Sequence, residues 1–174
     1  VIIDNYIGGI KATEHLITRG YKKLALINGP ENHFDAVNRL RGFRDVLSQN
    51  DKRIISEYII YSDFTINGGY QTTKQFLPGL TDYPDAIFYA NDYMASGGMR
   101  AIHELGLKIP DDIGVIGYDG LEIGEVVSPP LTTIDTNTYR VGVSTARRLF
   151  SLINGEEHTE PAVLEPELVI RDST

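Results

Sequence analysis

The chain has no cysteine. That excludes disulfides and thiolate metal sites and favours a reducing compartment, so a cytoplasmic location is expected. Positive charge is also scarce: 16 Lys and Arg stand against 24 Asp and Glu, a formal net charge of −8 with histidine neutral. Affinity for nucleic acid comes largely from Lys and Arg neutralising phosphates. With no basic stripe and no basic tail, this stretch by itself should not bind DNA. No run approaches the length of a membrane span, and no basic-then-apolar signal segment opens the chain. The fingerprints of nucleotide and hydrolase chemistry are missing too: there is no G-x-G-x-x-G, no G-x-x-x-x-G-K-[ST] and no G-x-S-x-G. The four histidines, His15, His33, His103 and His158, are scattered, none at metal-ligand spacing to another. No metal and no cofactor is expected. Without a nucleophile–base pair, neither is an enzyme.

What is present is a core. At 174 residues, with 41% hydrophobic and 23% charged residues, the chain is globular, of one or two compact units. Strand and helix alternate. Strands are expected at 1–3, 23–27, 58–61, 86–90 and 114–118, and helices over about 5–19, 34–49, 66–77 and 92–105. Gly20, Gly106 and the pair Pro78-Gly79 serve as stops. The strands show little period-2 pattern, as in strands covered on both faces, so the fold class is α/β with a doubly wound, mostly parallel sheet. Leu24, Ile60, Phe88 and Val115 should share that sheet. After Asp119 the rhythm changes: a loop to Pro130, a strand at 131–136, a helix over about 139–153, and a last strand at 162–170. Pro166 interrupts that strand and marks it as edge or bulged.

Polar residues stand where apolar strands stop. The run 86–90 enters Asn91-Asp92, and 113–117 enters Tyr118-Asp119. In an open parallel α/β sheet the carboxyl ends of the strands rim the crevice where ligands bind. An amide and a carboxylate there can hydrogen-bond the hydroxyls of a small polar ligand. Each residue has a plainer reading. Asn91 can be the N-cap of its helix, or that role can fall to Asp92. Asp119 can cap a turn. Arg39, lying off the apolar face of Ala36, Leu40 and Phe43, can be a solvated arginine. Phe64, in a polar loop, can be an anchor into the core. The pair Asp111-Asp112 reads as a solvated turn.

Five segments in order carry a resemblance. They are Asp4-Asn5-Tyr6-Ile7-Gly8-Gly9; Asn38-Arg39-Leu40-Arg41-Gly42-Phe43; Asp63-Phe64 with Gly69-Tyr70; Ala90-Asn91-Asp92-Tyr93-Met94-Ala95 through Ile102; and Gly106 through Ile113 leading to Gly117-Tyr118-Asp119 and Pro130-Leu131-Thr132-Thr133-Ile134. Together they resemble the effector-binding core of the LacI/GalR transcription regulators across nearly the whole chain. The resemblance implies a two-lobed fold like type I periplasmic binding proteins, mainly its second lobe here. Residues 1–20 would be the tail of the first lobe, 21–133 the second lobe, and 134–174 a crossover helix of the first lobe and a returning strand. The helix-turn-helix, the hinge and most of the first lobe's sheet fall outside the sequence, which reads as a fragment.

The implied function is sensing of a small-molecule effector, a sugar or other metabolite, with DNA contacted only through the absent part. The alternative is a sugar-binding protein of a transport system. By resemblance the ligand residues are Tyr6, Ile7, Arg39, Phe64, Asn91 and Asp119, with Thr136 where many members carry glutamine. Arg39, Phe64, Asn91 and Asp119 should converge on one cleft. Met94, Met99, Val126, Val127 and Leu131 are either core or the face of a two-fold homodimer.

Overall fold

The computed structural model describes residues 1–156 and 160–174; His158 lies outside the described residues. Six strands form the main sheet: β2 (Leu24–Asn28), β3 (Ile59–Tyr61), β4 (Ala86–Tyr89), β5 (Gly114–Asp119), β6 (Thr132–Asp135) and β8 (Glu167–Val169). Their order is β3-β2-β4-β5-β6-β8, every pairing parallel except β6 with β8. The expected single sheet holding Leu24, Ile60, Phe88 and Val115 is present.

The strands are buried on both faces because their side chains alternate between two cores. Leu24, Leu26, Phe88 and Ile116 pack against α1 (Asn5–Thr18) and α2 (Phe34–Gln49) through Ala12, Leu16, Leu40, Phe43 and Leu47. Ala25, Ile27, Ile87, Tyr89 and Val115 pack against α4 (Asp92–Glu104) through Met94, Met99 and Ile102. Helix α3 (Ile66–Phe76) lies beside α4, the two close enough that a side chain at Gly69 or Gly97 would overlap the other helix's backbone or its N-terminal turn. The chain runs from β2 out to β3, then returns to place β4 on the other side of β2. That reversal between β2 and β4 is the topological switch point, where ligands of open α/β sheets bind.

The sequence expectations need two corrections. First, the last strand is two. β7 (Val163–Leu164) pairs in parallel with β1 (Ile2–Ile3) in a separate two-stranded sheet, and β8 pairs with the main sheet. Pro166, which has no N–H to give a ladder, stands in the step between them. Second, the loop before Pro130 contains a short helix, α5 (Ile123–Val126). Helix α1 packs into the main core through Ala12 and Leu16, and the Asp4 carboxylate accepts from Ile7 N at 3.0 Å and caps it. Of the residues left open between core and dimer face, Met94 and Leu131 are fully buried and Met99 is 2% exposed, which makes these three core, while Val126 is 81% exposed. Helix α6 (Thr138–Ile153) buries no residue, and Tyr139, Leu149, Phe150, Leu152 and Ile153 lie exposed on it.

The C-terminus is anchored in the main sheet. Ser173 Oγ donates to Val115 O at 2.6 Å and accepts from Thr132 N at 2.8 Å, and Thr174 Oγ1 lies 2.8 Å from Nε2 of the buried His15. Asp112 is exposed in its turn, as read, and closes it by accepting from Lys108 N at 2.8 Å.

Candidate functional site

At the carboxyl ends of the strands lies a cleft of about 230 Å³ lined by His33, Asp35, Arg39, Phe64, Asn91 and Asp119. The four residues expected to converge do so. Each arrives by its own element. Asp119 ends β5, Asn91 follows β4, Phe64 follows β3, and Arg39 reaches in from α2, the helix after β2.

Arg39 is buried, not solvated. Its Nε donates to Asn5 Oδ1 at 2.8 Å, one Nη donates to Ala90 O, and the other lies 3.7 Å from Asp119 Oδ1. The guanidinium lies over the Tyr118 ring, 3.8 Å from its centroid. A planar fork that stacks and donates at its edges suits this position as a lysine would not. Three of its sides are thus occupied, and the edge toward Asp119 remains for a ligand.

Asp119 keeps 30% of its side chain in solvent. Burial pushes its carboxyl up to about 6, opposed by the Arg39 charge and helped by Asp35. Its backbone φ is +108°, and its carbonyl accepts from Thr136 Oγ1 at 3.1 Å. Thr136 therefore supports Asp119 from behind; it is not among the residues lining the cleft.

Asn91 is the cap of its helix and also lines the cleft. Its Oδ1 accepts from Met94 N at 2.8 Å and caps α4, and its Nδ2 donates to Phe64 O at 3.0 Å. One Nδ2 hydrogen is left over. Phe64 is held at φ +66° with its ring edge-to-face with His33, centroids 5.1 Å apart. The ring lies directly over Gly29, where any side chain would collide with it.

Two ligand candidates fall elsewhere. Tyr6 lines a different pocket with Asn38 and Arg41, its hydroxyl donating to Asp45 Oδ2 at 3.0 Å. Ile7 is half-buried on the first turns of α1 and does not line the cleft.

Sequence reasoning named neither His33 nor Asp35 as a ligand residue, and read Asp92 only as a possible helix cap. Asp35 stands in the first turn of α2 and accepts from Asn5 Nδ2 at 2.9 Å. Asn91 stands directly after β4, whereas Asp35 lies inside the helix that follows β2, beyond the reach of a rule about residues just past a strand. Asp92 is completely buried and points away from the cleft. It accepts from Thr133 Oγ1 and from Leu121 N, both at 2.7 Å, and ties the loop after Asp119 to β6. Burial holds its carboxyl up at about 6 against those two hydrogen bonds. Among the described residues no group of three or more His, Asp or Glu could hold a metal ion, and no helix is long and apolar enough to cross a membrane.

This arrangement mixes donors, acceptors and one aromatic plate in a polar cleft, the composition of a small-ligand site. Residues 13–174 match the family described as periplasmic binding protein-like domain. The chain belongs to that family. Its curated relatives are transcription regulators, in line with the LacI/GalR resemblance. It is 41% identical to the HTH-type transcriptional repressor PurR of Histophilus somni, covering 99% of this chain and 52% of that protein. It is 36% identical to the HTH-type transcriptional regulator CelR of Thermobifida fusca, covering 99% and 51%. Among solved structures, a CelR–cellobiose complex superposes with a TM-score of 0.91 at 36% identity, over 99% of this chain and 53% of that one. A dimeric Lac repressor with a C-terminal deletion does so at 0.94 and 35%, over 99% and 62%. The chain spans about half the length of the curated relatives it matches.

Proposed function

We propose that this chain is the effector-sensing part of a LacI-type transcription regulator, and that it takes a sugar or similar polyhydroxylated metabolite between Arg39, Asp119, Asn91 and Phe64. One observation carries the reading: four residues far apart in sequence meet in one cleft at the switch point of the sheet. Asp119 accepts from ligand hydroxyls, Arg39 and Asn91 donate to them, and Phe64 stacks on an apolar sugar face. Naming of the relatives as repressors and regulators, one of them in complex with cellobiose, supports it.

DNA would be contacted by a part outside these 174 residues. The chain's formal charge of −8 gives it no phosphate-binding face of its own. The exposed apolar residues of α6, with the small β1–β7 sheet, would belong to the first lobe, which closes over the cleft. At about 230 Å³ the cleft is smaller than the roughly 300–1,000 Å³ of a complete ligand pocket, as half of an interlobe site should be.

The test is titration of the isotopically labelled chain with pentoses, hexoses, cellobiose and nucleosides, followed by amide NMR. Shifts confined to the residues around Asp35, Phe64, Asn91 and Asp119 support the reading. Saturable shifts centred elsewhere, or none with any of these compounds, refute it.

A further inference from the structure

The charge balance of the cleft goes beyond the effector reading, on which it rests. Three ionic side chains line it: Arg39, Asp35 and Asp119. The one cation has a single edge left, the one beside Asp119. Its Nε goes to Asn5, one Nη to Ala90 O, its face to Tyr118 and its remaining edge to Asp119. The second carboxylate has no cation within salt-bridge distance among the described residues, and only one of its oxygens accepts a protein hydrogen bond, from Asn5 Nδ2 at 2.9 Å. It stands at the mouth of the cleft, half-buried. Its field reaches across to Asp119, whose carboxyl it helps hold up. The cleft therefore carries one net negative charge beyond what Arg39 neutralises, inside a chain that is itself at −8.

We propose that Asp35 is a specificity-determining residue: together with Asp119 it makes this a cleft for uncharged or amino-bearing polyols and shuts it to their anionic counterparts, uronates and sugar phosphates. A ligand carboxylate or phosphate entering here could reach Arg39 only at the edge beside the Asp119 carboxylate, and would meet two carboxylates against one guanidinium. A hydroxyl or ammonium can instead donate to the free oxygen of Asp35. At separations of several ångströms such repulsion amounts to about tenfold in affinity.

The experiment compares ligands of one skeleton on this chain: glucose, glucosamine, glucuronate and glucose 6-phosphate, with the galactose series in parallel. Affinities are read from amide shifts at the cleft, in low and in high salt. The expected order is glucosamine at least as tight as glucose, with both anionic compounds about tenfold weaker or worse. That gap should narrow in high salt and narrow again in Asp35→Asn, whose fold is checked by the dispersion of the same spectra. The salt series on the parent chain stands even if that variant fails to fold. An anionic member binding as tightly as its neutral parent overturns the proposal, and so does a gap that ignores both salt and Asp35→Asn. Silence from every member of both series is a different outcome: it removes the saccharide reading itself, and this inference with it.

Discussion

Replacing Asp119 by asparagine should stabilise the protein at neutral pH while weakening ligand binding. The carboxyl is raised from 3.8 to about 6, first by burial, against the opposing charge of Arg39. That displacement corresponds to about 3 kcal/mol of preference for the neutral form. With 30% of the side chain in solvent, the share expected as stability is about 1–2 kcal/mol. Asparagine is the right replacement because φ at this position is +108°, a region Asn tolerates far better than Ala. Alanine would add a backbone penalty and hide the effect.

The sign follows from the raised value. Below about pH 4 the carboxyl is protonated folded and unfolded, and the two proteins should be equally stable. As pH rises through 6 the parent must ionise a buried group and loses stability, while the Asn variant does not. The advantage of Asp119→Asn should therefore open between about pH 4 and 6 and hold above that. Urea unfolding at pH 4, 6 and 7.5, with constant slope, measures it. A charge-assisted hydrogen bond lost to the ligand weakens binding by about 1.5–3 kcal/mol. A variant less stable than the parent at pH 7.5, or one whose advantage is as large at pH 4, would refute the argument.

Other substitutions probe the supports of the cleft. Asp92→Ala strips the partners from Thr133 Oγ1 and Leu121 N in a fully buried place, and should lower unfolding free energy by about 3 kcal/mol in the same urea assay. Gly29→Ala places a methyl group where the Phe64 ring lies; it should weaken effector binding and shift the Phe64 and His33 ring resonances, and unchanged rings would show that the plate is not held there. For self-association, Met94 is the wrong probe, since a charge at a fully buried site unfolds the protein. Val126→Glu, at 81% exposure, should leave the fold intact; if the chain dimerises through the segment 126–131, sedimentation of this variant will show monomer, and an unchanged dimer would place the interface elsewhere.

The fold was legible because its strands are apolar on both faces and its helices carry stops. Helix α2 is read to its ends, Phe34–Gln49, from the spacing of Ala36, Leu40, Phe43 and Leu47. The site was legible as far as one rule reached: polar residues just past an apolar strand. That rule finds Asn91 and Asp119. It does not say which way Asp92 points, because two adjacent helical residues differ by about 100° in direction and only the packed structure decides which faces the cleft. The plainer reading of Arg39 as solvated fails for a related reason. Periodicity assigns a charged residue to the wet side, but here the buried face of α2 extends past the edge of the sheet. The guanidinium lies there over Tyr118 with its own partners. The split of the last strand was not legible at all. Pro166 marks an interruption, and only long-range pairing shows that the two halves join different sheets.

The backbone gives a separate sign of where function lies. Residues with positive φ fall into two sets. Gly20, Asp51, Gly106 and Gly155 follow the ends of α1, α2, α4 and α6, where a left-handed residue ordinarily stops a helix. Phe64, Asp119, Gly120 and Asn137 terminate no helix: they stand just past β3, β5 and β6, on the rim of the cleft or next to it. A phenylalanine at φ +66° is costly for so bulky a residue, and it persists only because something holds it. Here the Asn91 amide donates to the Phe64 carbonyl while capping α4, and Thr136 Oγ1 does the same for the Asp119 carbonyl. The strain is thus confined to the places where side chains must turn inward, and each strained residue is tied to a neighbouring strand end. In the proposed sensing role, a ligand against Phe64 would bear on Asn91 and the start of α4, and one against Asp119 on Thr136 just past β6.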